Sequence, residues 1–293
     1  LGIKGLSKVR SAREANRLAA IAMRLAVVGV LFEALSLNSI SLNAWGWILV
    51  GSLIGGCLGL ITARRVPMTA MPETVALFNG CGGMSSLLVA IGVALFPIQE
   101  VKSGELIGLV ESLSIVVSVF VGSITFTGSI VAMAKLQGWL STPSWMQSKV
   151  RHAVNISFAV LSIVAITDLL LGNDGGLWLL IIGSGLLGIG VTLPIGGADM
   201  PVVISLLNSY SGVAAAAAGF VVGSQLLIVA GAMVGAAGLI LTQVMCKGMN
   251  RSLVSVLFGG ALGSSSSGAN NSASEYTNIT SCSVEECALT LEA

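Results

Sequence analysis

Long apolar runs separated by short polar segments fill the chain between residues 15 and 246. Each run comes close to, or exceeds, the roughly 20 residues with which an α-helix crosses a bilayer. Charged residues, prolines or asparagines bound the runs. The pattern predicts an all-α, polytopic membrane helix bundle. We place its eight complete transmembrane helices at residues 15–37, 46–63, 73–96, 106–134, 153–171, 177–194, 200–222 and 225–246.

The basic residues test this count, because Lys and Arg collect on the loops that face the cytoplasm or its equivalent. They cluster on alternate connections, in segments 4–17, 64–65, 135–151 and 247–251. The connections between these clusters contain no arginine and one lysine, Lys102. A wrong merger or split of helices would have scrambled this alternation. It therefore supports the count and predicts that the beginning and the tail of the chain lie on the inner side.

Composition strengthens the membrane assignment, since 55% of the 293 residues are hydrophobic and 9% are charged. Soluble domains carry about a quarter charged residues. The 37 glycines are typical of helices that pack closely in lipid. The net charge of +1 comes with no separate basic patch, so nucleic acid is not a predicted partner. The five cysteines show neither metal-ligand nor disulfide spacing, and we predict no metal site.

The two ends of the sequence indicate a piece of a longer protein. The chain starts at Leu1, without an initiator Met or a signal peptide, and residues 1–5 would fit the last turn of an earlier helix. We assign residues 1–260 to a transmembrane domain and the Gly/Ser-rich residues 261–282 to a flexible linker. Residues 283–293 then begin a further, soluble domain on the inner side.

One motif invites a wrong assignment. Gly183, Gly185 and Gly188 form a literal Gly-x-Gly-x-x-Gly, which binds dinucleotides only between a strand and a helix. Here the motif lies inside the apolar run 177–194, so we predict that these glycines serve helix packing.

The predicted membrane interior contains no obvious titratable carrier. His152, the only histidine, lies beside Arg151 at the inner interface, where we expect a solvated role rather than a proton relay. Amides and hydroxyls at similar depth in the third, fourth and seventh helices stand out instead. Polar groups in lipid must find partners, so two interpretations stay open: they bond neighbouring helices, or they line a water-filled proton path. The candidates are Asn79, Thr125, Thr127, Ser129, Ser205, Asn208 and Ser209.

Asp199 is isolated on an inner loop that carries no basic residue of its own. A carboxylate at the start of a helix is stabilised by the helix dipole, which would explain its position structurally. Its place on the side where a soluble domain would dock gives a second interpretation, coupling to that domain.

Residues 195–212 read Ile-Gly-Gly-Ala-Asp-Met-Pro-Val-Val-Ile-Ser-Leu-Leu-Asn-Ser-Tyr-Ser-Gly. They resemble the signature of the beta subunit of proton-translocating NAD(P) transhydrogenases, and residues 68–75, 125–129 and 245–252 are similar to further stretches of that family. The likeness runs in order over essentially the whole chain. It implies a nine-helix membrane domain, whose first helix is reduced here to its end. It also implies that residues 283–293 begin an NADP(H)-binding domain.

The resemblance also implies cofactors and partners. In this family a separate NAD(H)-binding component passes hydride to NADP+ on the NADP(H)-binding domain, while protons move inward through the membrane domain. Both nucleotide sites are then expected outside this chain. The implied partners are the lipid bilayer, the alpha subunit or domain with its own membrane helices, the NADP-binding domain and a second protomer. A bacterial plasma membrane or an organelle inner membrane is the implied location.

Residue roles follow from the same resemblance. Asn208 and Ser129 match positions of the proton path, to which we add Asn79, Thr127 and Ser205. Asp199 matches a position linked to coupling with the NADP(H) domain, and the junction after the last helix is matched by Lys247, Asn250 and Arg251.

Asn79 marks a departure from the family, because some members have a histidine at this position of the third helix. An amide cannot take up a proton, and the hypothesis is that the titratable group comes from a helix of a partner subunit.

Two other classes of function remain as alternatives. A secondary transporter for a small anion or metabolite would show inverted repeats and helices broken near the midplane, whereas the chain has a single break, at residues 194–197 near the inner surface. A purely structural membrane scaffold would not need polar groups aligned in its interior.

Overall fold

A computed structural model describes residues 9–36, 41–96, 105–143, 150–173 and 175–262. Within these ranges the chain forms nine α-helices, and short 3₁₀ turns at Met68–Ala70 and Gly197–Asp199 lead into the third and the seventh. The helices are α1 (Val9–Ser36), α2 (Leu42–Arg65), α3 (Met71–Leu95), α4 (Glu105–Leu136), α5 (Val150–Leu170), α6 (Gly175–Thr192), α7 (Met200–Val222), α8 (Gln225–Gly248) and α9 (Leu253–Leu262).

The prediction of an all-α membrane bundle is confirmed, since α1 to α8 are each long and apolar enough to cross a membrane. They correspond one to one with the eight predicted helices, and α7 has the predicted bounds. Of the other helices, all but α8 start before the predicted residue, because backbone hydrogen bonding continues into the polar segments. Helices α2, α4 and α8 also end later than predicted, whereas α1, α3, α5 and α6 end one or two residues earlier. The predicted end of an earlier helix at residues 1–5 and the start of a further domain at 283–293 lie outside the described residues. So does the predicted linker, apart from the last two residues of α9.

The chain divides into two compact units, residues 1–66 and 67–293. In the described part of the first unit, α1 and α2 expose large apolar side chains such as Phe32 and Trp47. A helix that is apolar all round suits a lipid environment. The side chain of Ser41 caps α2 by accepting a hydrogen bond from the Ala44 N–H.

The second unit is built around α4 and α7, its two most buried helices. These two helices pack against each other, and α3 packs against both. Helix α6 lies against α4, α5 lies against α6, and α8 lies against α7. The short helix α9 returns to the bundle through Val256, which is buried in a core with Met200 and Cys246.

Helices α7 and α8 form the closest pair because small residues line both sides of their contact. A Cβ atom added to Gly238 would lie 2.7 Å from the backbone nitrogen of Ser209. The Ser209 hydroxyl donates to the Gly235 carbonyl at 2.6 Å, and the Ser205 hydroxyl donates to the Gly238 carbonyl at 3.2 Å. Close backbone approach and interhelical hydrogen bonds are the means by which membrane helices associate.

The Gly-x-Gly-x-x-Gly run serves helix packing, as predicted. It lies wholly within α6. Gly183 faces Ser162 of α5, whereas Gly185 and Gly188 face Thr127 of α4. These glycines let α6 lie between two neighbours.

Gly238→Ala is expected to destabilise the second unit by about 1–3 kcal/mol, the usual range for overpacking. The added methyl group would meet the backbone of Ser209, which cannot rotate away as a side chain can. The free energy of unfolding, measured by SDS titration in mixed micelles, checks this. Gly82→Ala is the control, because a Cβ there has no neighbour within 4 Å. Equal stabilities of the two variants would contradict the close approach of α7 and α8.

Candidate functional site

Six helix ends meet at one end of the second unit. Helices α3, α5 and α7 start there and α4, α6 and α8 finish there, since consecutive helices run antiparallel. We call it the Asp199 end, after the residue that precedes α7. Contacts between its segments include the hydrogen bond of Lys135 to Leu193 and the ion pair of Asp199 with Arg251.

Asn79 connects three helices about two turns into α3. Its Nδ2 donates to the Ser129 hydroxyl of α4 at 3.0 Å, and its Oδ1 accepts from the Ser211 hydroxyl of α7 at 2.8 Å. The Ser211 hydroxyl also lies 2.8 Å from the main-chain carbonyl oxygen of Asn208, in its own helix. One hydroxyl carries one proton, so Ser211 donates to either acceptor but not fully to both. We call Asn79, Ser129, Ser211 and Asn208 the amide cluster.

The amide cluster lies in the interior of the second unit. Ser129 is buried, and Asn79, Asn208 and Ser211 are half-buried. Helices α3 and α4 approach closely here, since a Cβ atom on Gly80 would be 3.1 Å from that of Ser129. The polar groups therefore face one another across helix interfaces and do not all point towards lipid.

Two predicted path residues lie elsewhere. The Thr127 hydroxyl donates to the Ser123 carbonyl of its own helix at 2.9 Å, and the residue packs against Gly188 of α6. Two positions along a helix turn a side chain by about 200°, which separates Thr127 from Ser129. The Ser205 hydroxyl faces α8, where it accepts from Thr242 at 3.1 Å. Both residues join helices outside the amide cluster.

The predicted coupling residues meet at the Asp199 end. Arg251 forms an ion pair with Asp199, with Nη1 and Oδ2 2.7 Å apart. Asn250 has a φ of 52°, a left-handed conformation that asparagine tolerates better than most residues. Its N–H donates to Lys247, and the Arg251 N–H donates to Cys246, so a tight turn ends α8. This turn places Arg251 beside Asp199, while Lys247 remains exposed on α8.

Lys135 fixes the loop that precedes Asp199, a role that sequence reasoning missed. Its Nζ donates to the carbonyls of Leu193 and Ile195, both at 2.6 Å, and to the Thr142 hydroxyl at 2.7 Å. Carbonyls at the end of α6 have no partner within that helix, and a cation there complements the helix dipole. The loop without a basic residue of its own is thus held by two cations from other segments.

The surroundings of His152 differ from the sequence-based expectation. His152 was expected to be solvated, and it is half-buried. The neighbouring Arg151 is buried, with 3% of its surface exposed. Nε of Arg151 lies 3.3 Å from Nε2 of His152. Both line a cavity with Asn155, which the sequence reasoning did not single out. The loop between α6 and α7 closes over this part of α5, as Pro194 and Ile195 line the same cavity.

Comparison with known proteins decides the family. The profile of the NAD(P) transhydrogenase beta subunit matches residues 1–293. The chain belongs to this family. Two curated relatives from Rhodospirillum rubrum, one of a specified strain, are named NAD(P) transhydrogenase subunit beta. Each is 40% identical over 267 residues, which cover 89% of this chain. The chain spans about half of their length, 55%.

Family membership confirms the resemblance seen in residues 195–212. Together with the eight apolar helices, it identifies the chain as a multi-pass membrane protein. Ser211 lies within the same signature and could have been found from its spacing, because residues three apart share a helix face with Asn208. Lys135 could have been noticed as a lysine beside the end of a predicted helix.

Lys135→Met is expected to lower the free energy of unfolding by about 1.5–3 kcal/mol, the range for hydrogen bonds to a charged group. The change removes the charged donor from the carbonyls of Leu193 and Ile195, just after α6, and only Leu193 keeps another donor, the Thr142 hydroxyl at 3.2 Å. SDS titration in mixed micelles measures the effect. Lys247→Met, which changes an exposed lysine near the end of α8, is the matched control and should cost less than about 1 kcal/mol. Indistinguishable variants would argue against a stabilising role for Lys135.

Proposed function

We propose that this chain forms the proton-conducting membrane domain of an NAD(P) transhydrogenase, which couples inward proton movement to hydride transfer from NADH to NADP+. The amide cluster carries the proposal: in a member of this family, the side chains of Asn79, Ser129 and Ser211 join three central helices in the interior. The Ser211 hydroxyl also lies close to the main-chain carbonyl of Asn208. Polar groups placed in this way can hold a chain of water molecules where lipid would exclude water.

The chemistry of the cluster suits a gate better than a proton store. Neither Asn79 nor Asn208 can be protonated, so each can orient a water molecule but cannot keep its proton. The Ser211 hydroxyl can turn between two acceptors 2.8 Å away, and such reorientation is what a hydrogen-bonded proton chain needs. The titratable group would then come from a membrane helix of a partner subunit.

We assign the nucleotides to other domains. NADP(H) would bind in the part of the protein that corresponds to the unmatched length of the relatives, and NAD(H) would bind to the alpha subunit or domain. The clustering of Lys and Arg on alternate connections supports a cytoplasmic or matrix side for the Asp199 end. The enzyme would work as a dimer of such protomers in the membrane.

The ion pair of Asp199 and Arg251 offers a contact on which a nucleotide-binding domain can act. The Arg251 side chain is 53% exposed and that of Asp199 is 14% exposed. Exposed pairs contribute at most about 1 kcal/mol, so a docking domain could separate them at little cost. Arg251 follows α8, and α8 is bonded through Thr242 to Ser205 of α7, the helix that carries Asn208. Two arrangements of this junction would give two access states of the path.

The alternative of a secondary transporter gains no support from the described helices. Such proteins bind substrate at discontinuous helices near the midplane, whereas α2 to α8 each run unbroken between the bounds given above.

Asn208→Leu is expected to cut proton-coupled turnover by one to two orders of magnitude, because it removes a half-buried amide that can hold water, at a cost of about 1–3 kcal/mol. The main-chain carbonyl that lies near Ser211 is kept. NADP(H) binding by the assembled enzyme should not change. Turnover is measured in vesicles that contain the complete enzyme. Val213→Leu, on the exposed apolar face of the same helix, is the control. Normal coupled turnover in Asn208→Leu would refute the proposed path.

Asp199→Asn and Arg251→Gln should each reduce coupled turnover by about tenfold, while stability changes by less than about 1 kcal/mol because the pair is exposed. The exchanged pair Asp199→Arg with Arg251→Asp should recover part of the loss. Arg64→Gln, a charge change on α2, should leave turnover unaffected. Full activity in both single variants would exclude the ion pair from coupling.

A further inference from the structure

A second polar space lies at the Asp199 end of the bundle, apart from the amide cluster. It is a cavity of about 390 Å³ among α4, α5, α6 and α7, and Leu257 of α9 forms part of its wall. Most of the wall is apolar. Its polar members are Arg151, His152, Asn155, Thr192 and Tyr210.

Asn155 joins the wall of this cavity to α6. It shares a face of α5 with Arg151 and His152, being four and three residues away. Its Nδ2 donates to the Gly190 carbonyl at 3.1 Å. Its Oδ1 is buried against Gly190 and has no hydrogen-bond partner among the described residues.

Water fits the site better than a lipid chain does. One molecule needs roughly 10–15 Å³ of accessible space, so the cavity can hold several. An acyl chain would place hydrocarbon against the charged side chain of Arg151, which lines the cavity.

The cavity is separated from the amide cluster by one layer of side chains. Thr192 and Leu207 line it. A Cβ atom on Gly128 would lie 2.9 Å from the Thr192 hydroxyl oxygen and 3.2 Å from Leu207 Cδ2. Gly128 directly precedes Ser129, and Leu207 directly precedes Asn208. Both cluster residues therefore have a chain neighbour at the barrier.

We infer that this cavity is a water-filled vestibule through which protons leave the amide cluster towards the Asp199 end. Arg151, His152 and Thr192 give it polar walls, and Leu207 forms the apolar barrier between vestibule and cluster. The inference rests on the proposed function, for which it supplies the aqueous exit on the inner side.

Cysteine accessibility tests the vestibule in the complete enzyme. Ala159 lines the cavity, whereas Val160 is 53% exposed on the outer surface of the same helix at nearly the same depth. Ala159→Cys and Val160→Cys are introduced after the native cysteines have been replaced by serine. Inside-out vesicles are treated with a small, charged, membrane-impermeant methanethiosulfonate. A thiolate attacks the reagent, forms a mixed disulfide and displaces methanesulfinate. Thiolates form in water and not in lipid, so Ala159→Cys should react at least about tenfold faster than Val160→Cys.

The same labelling tests whether the vestibule lies on the path, because the reagent adds bulk after the protein has folded. Modified Ala159→Cys should lose most of its proton-coupled turnover and retain NADP(H) binding, whereas treated Val160→Cys should keep its turnover. Equal, slow reaction of both cysteines would overturn the inference, and so would full turnover after complete modification of Ala159→Cys. Either result leaves the proposed function standing if Asn208→Leu is inactive. Normal turnover of Asn208→Leu would instead defeat the proposed function, whatever the labelling shows.

Discussion

A polar side chain inside a membrane bundle has to find its hydrogen-bond partner within the protein or in trapped water, and this requirement orders the interior of α3 to α8. Ser205 and Ser209 use the carbonyls of α8. Lys135 uses the free carbonyls at the end of α6. Asn79 has two partners on different helices. Each of these contacts fixes the rotation of a helix as well as its position.

Glycine makes these partnerships possible by letting backbones approach. The carbonyl of Gly238 accepts from Ser205 of α7, and the Thr242 hydroxyl, which donates to either Ser205 or Gly238, lies beside both. These contacts require α7 and α8 to lie unusually close. The amide cluster differs, because three of its four members are half-buried and one hydroxyl has two acceptors. The bundle thus combines a tightly joined helix pair with a looser polar centre beside it.

The helices could be predicted from sequence because hydropathy and the placement of Lys and Arg carry independent information about them. The depth of a residue along its helix could also be predicted. By this measure Asn79, Ser129 and Asn208 lie at a similar depth in the membrane. The rotation of each helix about its own axis could not be predicted, since a uniformly apolar helix has no periodic pattern that shows which face is buried. For that reason Thr127 and Ser205, which lie at suitable depth, face other neighbours.

Contacts between residues distant in sequence could not be predicted either. Arg251 and Asp199 are 52 residues apart and Lys135 and Ile195 are 60 apart, and no local pattern connects them. The resemblance to a family suggested Asp199 and Arg251 separately, as two positions with related roles. Only the folded chain brings them to within 2.7 Å.

The left-handed turn at Asn250 has a mechanical consequence. A helix that ended in an open coil would dissipate any tension from the chain that follows it. Here the backbone reverses at Asn250, and α9 is anchored by Val256 against Met200 at the start of α7. Val256 packs against Met200 at the start of α7 and Cys246 near the end of α8, so a pull on the chain after α9 would act on both of these helices at once.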